Sequence, residues 1–211
     1  MMATLAGPSA PRRTRGATRT AMLLSAVEVL RERGAAGVTI DAVLTRSGAP
    51  RGSVYHHFPG GRAEILREAL RFSGEEITAK IDAAAGVGTT ALLGQFVELW
   101  EDALTGSDYT AGCPVLAAAV GSGEDEQQLA AEAGEIFRRW REAAADAFTR
   151  EGFAPAESTA LAHTTIAALE GAAVLCRSTR SLDPLHDVAG QIEFLIRARD
   201  FVAGLPPVRR D

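Results

Sequence analysis

Apolar residues recur along most of this chain at spacings of three and four, the period of helices that each bury one stripe. From Thr20 onward, Leu23, Val27 and Leu30 fall at i, i+4 and i+7, and Gly34 stands where a C-cap is expected, which predicts a first helix. Thr39 is an N-cap candidate ahead of Ile40, Val43 and Leu44, and Gly48 closes that short second helix. Pro50 suits the first position of a third helix, whose buried face is Val54 and Phe58. Past Arg62 the pattern predicts helices at about 62–84, 88–105, 114–120, 125–151, 155–177 and 184–203. The breaks fall at Gly86, Gly106 to Gly112, Gly121 to Gly123, Gly152 to Pro155, and Pro184. No alternating run of strand length and no internal repeat is present.

The expected fold is therefore all-α. A supporting helix, a second helix, a tight glycine turn and a short third helix form a helix-turn-helix plan over residues 20–66. Residues 67–211 make a larger helical domain, and residues 1–19, rich in Pro, Gly, Ser and Thr and free of acids, read as a flexible basic arm. The arm lacks the amphipathic period of a transit peptide. Its Arg12, Arg13, Arg15 and Arg19 are either a solubilising tail or contacts to a DNA groove or phosphates.

Composition narrows the class. With 46% hydrophobic residues in 211, the chain can bury a real core, which excludes disordered and fibrous proteins. The apolar stretch from Leu161 to Cys176 is interrupted by His163 and Glu170, so no membrane span is expected. Two cysteines, Cys113 and Cys176, fit a reducing cytosol, lack metal-ligand spacing and make the cytoplasm the expected compartment. The net charge of −5 conceals an asymmetry: 11 arginines stand against 5 acids through residue 71, and 11 basic residues against 22 acids beyond it. A basic head on an acidic body suits localised phosphate contact.

The stretch Ser47 to Gly61, SGAPRGSVYHHFPGG, concentrates the candidate chemistry. His56 and His57 point about 100° apart on a helix and cannot share a metal. Ser53 has no nucleophile-elbow context. No catalytic residue, metal or cofactor is expected. Arg51, Gly52 and Ser53 at the helix start, with Tyr55 and His56 further round, are donors with no carboxylate expected to oppose them. An arginine that can fork onto guanine, and hydroxyls that reach phosphate, suit the major groove of double-stranded DNA.

Thr39-Ile40-Asp41 followed by Ser47 to Phe58 closely resembles the DNA-binding segment of the TetR family of bacterial repressors. Phe58 to Arg62, together with Gly112-Cys113-Pro114, resembles the branch of LmrA/YxaF-type drug-responsive regulators. The resemblance implies a homodimer with a three-helix reading head on each subunit and a C-terminal domain for ligand binding and dimerisation. It implies that Thr39 and Tyr55 contact phosphates, that Arg51, Gly52 and Ser53 face bases, and that His56 and Arg62 hold the backbone. Two positions depart from the pattern. Leu44 replaces a small residue, and Pro50, at the head of the reading helix, replaces a serine that could reach phosphate.

Within the C-terminal domain, Phe96, Trp100, Phe137, Trp140 and Phe148 are either core or pocket. His163 and Thr164 are the candidate polar anchors, and Cys113 is either a small buried hydrophobe or an oxidant sensor. Glu124, Asp125 and Glu126 read as the acidic first turn of a helix. The expected effector is largely apolar, aromatic and of drug size, with charged metabolites disfavoured by desolvation. Leu161, Ala168, Gly171, Leu175, Val188, Ile192, Leu195 and Ile196 are the candidate dimer interface on the last two long helices. The function expected is a ligand-responsive repressor that releases a palindromic operator. The alternatives are an activator or effector-independent DNA binder, and, from a different class, a helical enzyme using His163 and Glu170, which lie seven apart on one helix face.

Overall fold

The computed structural model of the chain describes residues 15–121, 123 and 126–203. Among these, nine α-helices appear in the order α1 Arg15–Gly37, α2 Ile40–Ser47, α3 Val54–His57, α4 Gly61–Val87, α5 Thr89–Gly106, α6 Pro114–Ala119, α7 Glu126–Arg150, α8 Pro155–Thr179 and α9 Asp183–Ala203. No strand is present among the described residues. Arg12 and Arg13 of the predicted arm lie outside the described residues, and α1 begins at Arg15, five residues before the expected start. Glu124 and Asp125 also lie outside them.

The helix ends follow local chemistry. The Thr39 hydroxyl oxygen accepts from the Ala42 N–H at 3.1 Å and caps α2, while Gly48 ends it at φ 65, a left-handed conformation that favours glycine. Gly34 breaks the regular path of α1 at φ 73, ψ −179, although helical residues resume to Gly37. Gly86 does not end α4, because the chain stays helical until Gly88. Pro184 lies inside the first turn of α9, where a missing N–H is harmless. Pro50 sits one step earlier than expected: it precedes a 3-10 turn at Arg51–Ser53, which in turn leads into α3.

The head packs Met22, Leu30, Val43, Val54, Phe58 and Leu66 into a sealed core, with the Arg19 guanidinium 4.8 Å above the Phe58 ring. Leu44, the larger residue at a position where a small one was expected, is also buried there. The body closes around Trp140, which is fully buried between α4, α5 and α7. Its indole N–H donates to the Thr78 hydroxyl at 2.8 Å, and Phe96 and Phe137 meet it edge to face at 6.3 and 5.2 Å.

Head and body are joined at the end of α1. The break at Gly34 leaves nearby carbonyls short of helical partners. Arg62 of α4 donates to the Val38 carbonyl at 2.9 Å and the Ala35 carbonyl at 2.8 Å, and pairs with Glu126 of α7 at 3.1 Å. Arg177 of α8 donates to the Glu32 carbonyl at 2.5 Å, and the Gly112 N–H donates to the Arg31 carbonyl at 2.9 Å. This corrects the expectation that Arg62 holds the DNA backbone: its donors are turned inward. Glu126, in the first turn of α7 as expected, is buried beneath Arg62 and also accepts from the Gly123 N–H. Arg62→Ala should therefore lower the unfolding free energy by about 2 to 4 kcal/mol, since it removes three charge-assisted hydrogen bonds, to the Val38 and Ala35 carbonyls and to the buried Glu126 carboxylate. Chemical denaturation checks this, and an unchanged midpoint would exclude the structural role.

Candidate functional site

Two regions collect the polar chemistry, the outer face of the head and a cleft in the body. On the head, Thr39, Pro50, Arg51, Gly52, Tyr55 and His56 are exposed, and Ser53 is half-buried. The Arg51 guanidinium lies 2.9 Å from the Asp41 carboxylate, contrary to the expectation that no acid opposes it. Both side chains are largely exposed, so the pair holds the arginine only weakly and leaves it able to exchange onto another acceptor. The Ser53 hydroxyl donates to the Pro50 carbonyl at 2.6 Å, which commits its proton to the turn but leaves lone pairs open. Thr39 keeps its hydroxyl proton, because its oxygen serves the cap as an acceptor.

The outer face is held rigidly from behind. Val54 and Phe58 fix the short helix to the core. Arg46 forks onto Glu32 with two contacts of 2.6 Å, and this guanidinium holds the Glu32 carboxyl below its usual range. Gly61 adopts φ 61, and a Cβ there would come within 3.5 Å of the Tyr55 ring. The turn after α3 thus keeps Tyr55 standing outward at 63% exposure.

In the body, a cleft of about 600 Å³ opens between α6, α7 and α8. Its walls include Leu116, Phe137, Ile166 and Val174, with Arg138 and Arg141 at one side and His163 and Glu170 from α8. Of the sequence candidates, only Phe137 and His163 line it. Phe96 and Trp140 lie in the core instead, where close packing leaves no surface for a ligand. Trp100 lines a different cleft between α1, α4 and α5, and its buried indole N–H has no partner. Thr164 is exposed, and its hydroxyl donates to the Ala160 carbonyl at 2.9 Å. Cys113 caps α6 through its sulfur, which accepts from the Leu116 N–H at 3.3 Å. Burial, and then the charge of Glu170, push its thiol up, away from the thiolate that oxidant sensing needs.

Glu170 is the residue that the sequence reading did not assign to a ligand. It is 5% exposed, and neither carboxyl oxygen has a hydrogen-bond partner. Burial pushes its carboxyl up to about 7, opposed by the Cys113 thiol, which lies outside ordinary hydrogen-bond geometry. The signal available in the sequence was its position as the one acid inside the apolar stretch Leu161 to Cys176.

The candidate dimer residues divide between two environments. Gly171, Leu175 and Leu195 are exposed, whereas Leu161, Ala168, Val188 and Ile196 are half-buried. Ile192 is 5% exposed and belongs to the chain's own core, since the stripe that contains it faces α8. Val174 and Phe194 extend the exposed apolar face at 53% and 64%, and Phe194 was not anticipated. α8 is long and apolar enough to cross a membrane, but it is a packed helix of the body, with Leu169, Ala172 and Cys176 buried.

A small helix-turn-helix head joined to a helical body by half-buried arginines is the plan of a DNA-binding transcriptional regulator. Residues 23–69 match the bacterial regulatory proteins of the tetR family, and residues 90–191 match the C-terminal domain of LmrA/YxaF-like transcriptional regulators. The chain is 38% identical over 185 residues to an uncharacterised HTH-type transcriptional regulator of Mycobacterium tuberculosis, covering 85% of this chain and 94% of that protein. It is 23% identical to the HTH-type transcriptional regulator LmrA of Bacillus subtilis, over 86% of this chain and 98% of LmrA. In fold it is similar to a TetR-family regulator from Cytophaga hutchinsonii, with a TM-score of 0.73, 20% identity, and coverage of 90% and 98% of the two chains. The chain belongs to the TetR family of transcriptional regulators, which are not enzymes.

The titration of Glu170 gives a direct check on its environment. Its folded value lies above the free value of 4.5, so the folded chain binds the proton more tightly than the unfolded chain. The stability it contributes is full below that free value and is lost as pH rises through about 7. Between about pH 5 and pH 8 the parent should lose stability relative to Glu170→Gln. Parallel denaturation curves for the two chains across that window would contradict the assignment.

Proposed function

We propose that the chain is a cytoplasmic repressor that binds a palindromic operator as a homodimer and releases it when a small, largely apolar effector enters the body. The observation that carries this reading is the shared helix: α8 supplies His163 and Glu170 to the cleft and Arg177 to the end of α1. An effector wedged between α7 and α8 acts on the helices that hold the reading head. In a dimer, a small reorientation of each head changes the separation of the two reading helices from the roughly 34 to 36 Å that adjacent major grooves require. Release then follows from differential affinity of the effector for the two states.

On the DNA, Arg51 leaves Asp41 and forks onto a base, with Gly52 and Ser53 beside it, while Thr39, Tyr55 and His56 meet the phosphates. Pro50 sets the path of the turn that precedes them. The exposed apolar face of α8 and α9, with Gly171, Val174, Leu175, Phe194 and Leu195, pairs with the same face of a second copy. Half-buried Leu161, Ala168, Val188 and Ile196 border that face.

A footprint on DNA flanking the protein's own coding region should be palindromic, and Arg51→Ala should weaken it by about 1 to 3 kcal/mol without loss of stability. Full affinity in Arg51→Ala at fixed salt would remove this residue from base recognition. Leu175→Arg, placed at the centre of the apolar face, should yield monomers in sedimentation and lose operator binding. A dimer that persists in Leu175→Arg would put the interface elsewhere.

A further inference from the structure

The cleft between α6, α7 and α8 holds one group whose needs the folded chain does not meet. Glu170 is buried, yet both carboxyl oxygens lack a hydrogen-bond donor. A buried carboxylate without a partner is unfavourable, and native chains seldom keep one unless something else supplies the donor. The neighbouring cations do not. Arg138 is held by Glu135 and Glu142 at 2.7 to 2.9 Å, Arg141 leans on Glu142 at 3.2 Å, and Arg177 is committed to the carbonyls of α1. The Cys113 thiol keeps its proton and faces Glu170, but S–H is a weak donor and no hydrogen bond between them meets ordinary geometry, so the carboxyl oxygens stay largely unmet. His163, seven positions away on α8, also lines the cleft but makes no hydrogen bond to Glu170, and the other walls, Leu116, Phe137, Ile166, Ala167, Gly171 and Val174, offer no side-chain donor.

We propose that Glu170 is the anchor for a protonated amine, and that the effector of this protein is an aromatic amine whose ring lies against Phe137 and Ile166 while its nitrogen donates to the Glu170 carboxylate. The inference rests on the effector reading above and narrows it. Desolvation disfavours charged ligands in an apolar cleft in general, but here a positive nitrogen meets a buried negative partner and leaves both satisfied. A carboxylate-bearing ligand of the same shape places like charges together. A neutral alcohol donates a hydrogen bond without the ion pair and falls between the two. The cleft volume of about 600 Å³ accommodates a fused two-ring system with a short amine tail.

Three probes with one ring system separate these cases: naphthylethylamine, naphthylethanol and naphthylacetate, each titrated into the full-length protein by calorimetry. The amine should bind about tenfold tighter than the alcohol, with the acetate weakest. Glu170→Gln keeps the shape of the side chain and removes its charge, and should bring the amine to within about twofold of the alcohol. The ratio among probes in the unmodified chain needs no variant and so stands whatever Glu170→Gln does to folding. No amine binding at millimolar concentration, equal binding of amine and alcohol, or an amine preference that survives Glu170→Gln overturns the proposal. Operator release is read separately, by a shift assay with the same amine. Binding with the expected ratios but no release upholds the anchor and overturns the effector role.

Discussion

The arrangement of this molecule depends on the broken end of one helix. At Gly34, α1 leaves its regular path, and the carbonyls of Arg31 and Glu32 before the break, and of Ala35 and Val38 after it, accept from donors outside the helix. Those donors come from the body: Arg62 at the start of α4, Arg177 near the end of α8, and the backbone of Gly112. Hydrogen bonds from charged donors contribute more than neutral ones, about 1.5 to 3 kcal/mol each, and a guanidinium directs them along fixed axes. The head is therefore oriented by the body through a few directional contacts. Glu126 extends the same network into α7, so the helices around the clamp also border the cleft.

Much of this was legible in the sequence because it is local. The period of apolar residues placed α5, α7 and α8 to within a few residues, and Thr39 and Gly48 act as the caps that their types suggest. The TetR resemblance, carried by fifteen or so residues of the turn, agrees with the family to which the chain belongs. What local reasoning could not supply was the direction of long side chains. Arg62 follows a motif associated with DNA, yet its partner Glu126 lies 64 positions away, and no spacing rule links them. Asp41 and Arg51 sit on different elements, so an acid dismissed by looking along the turn proved to face it across space.

The aromatic residues posed a different difficulty. Phe96, Trp100, Phe137 and Trp140 have similar helical spacing and similar bulk, and only tertiary packing separates the core pair Phe96 and Trp140 from Phe137 at the cleft. Polar residues in apolar runs are more informative, because burial makes their unmet hydrogen bonds expensive. His163 and Glu170 both interrupt the same stretch of α8, but His163 is exposed whereas Glu170 is buried. The less conspicuous of the two interruptions is the one whose polar atoms are buried without a partner.

Glu170 and Arg177 stand two helical turns apart on one face of α8, and both line the space that also holds Cys113 and the end of α1. α8 is one continuous 25-residue helix packed along its buried side, and sliding of packed helices is a known route by which a local change is passed along. On the function proposed above, a group that draws Glu170 toward the cleft alters where Arg177 presents its donors. The carbonyls of Arg31 and Glu32 must follow or lose them, and α1 carries the head with it. The cleft and the clamp on α1 thus share one helix, whose C-terminal half carries an acid toward the first and a base toward the second.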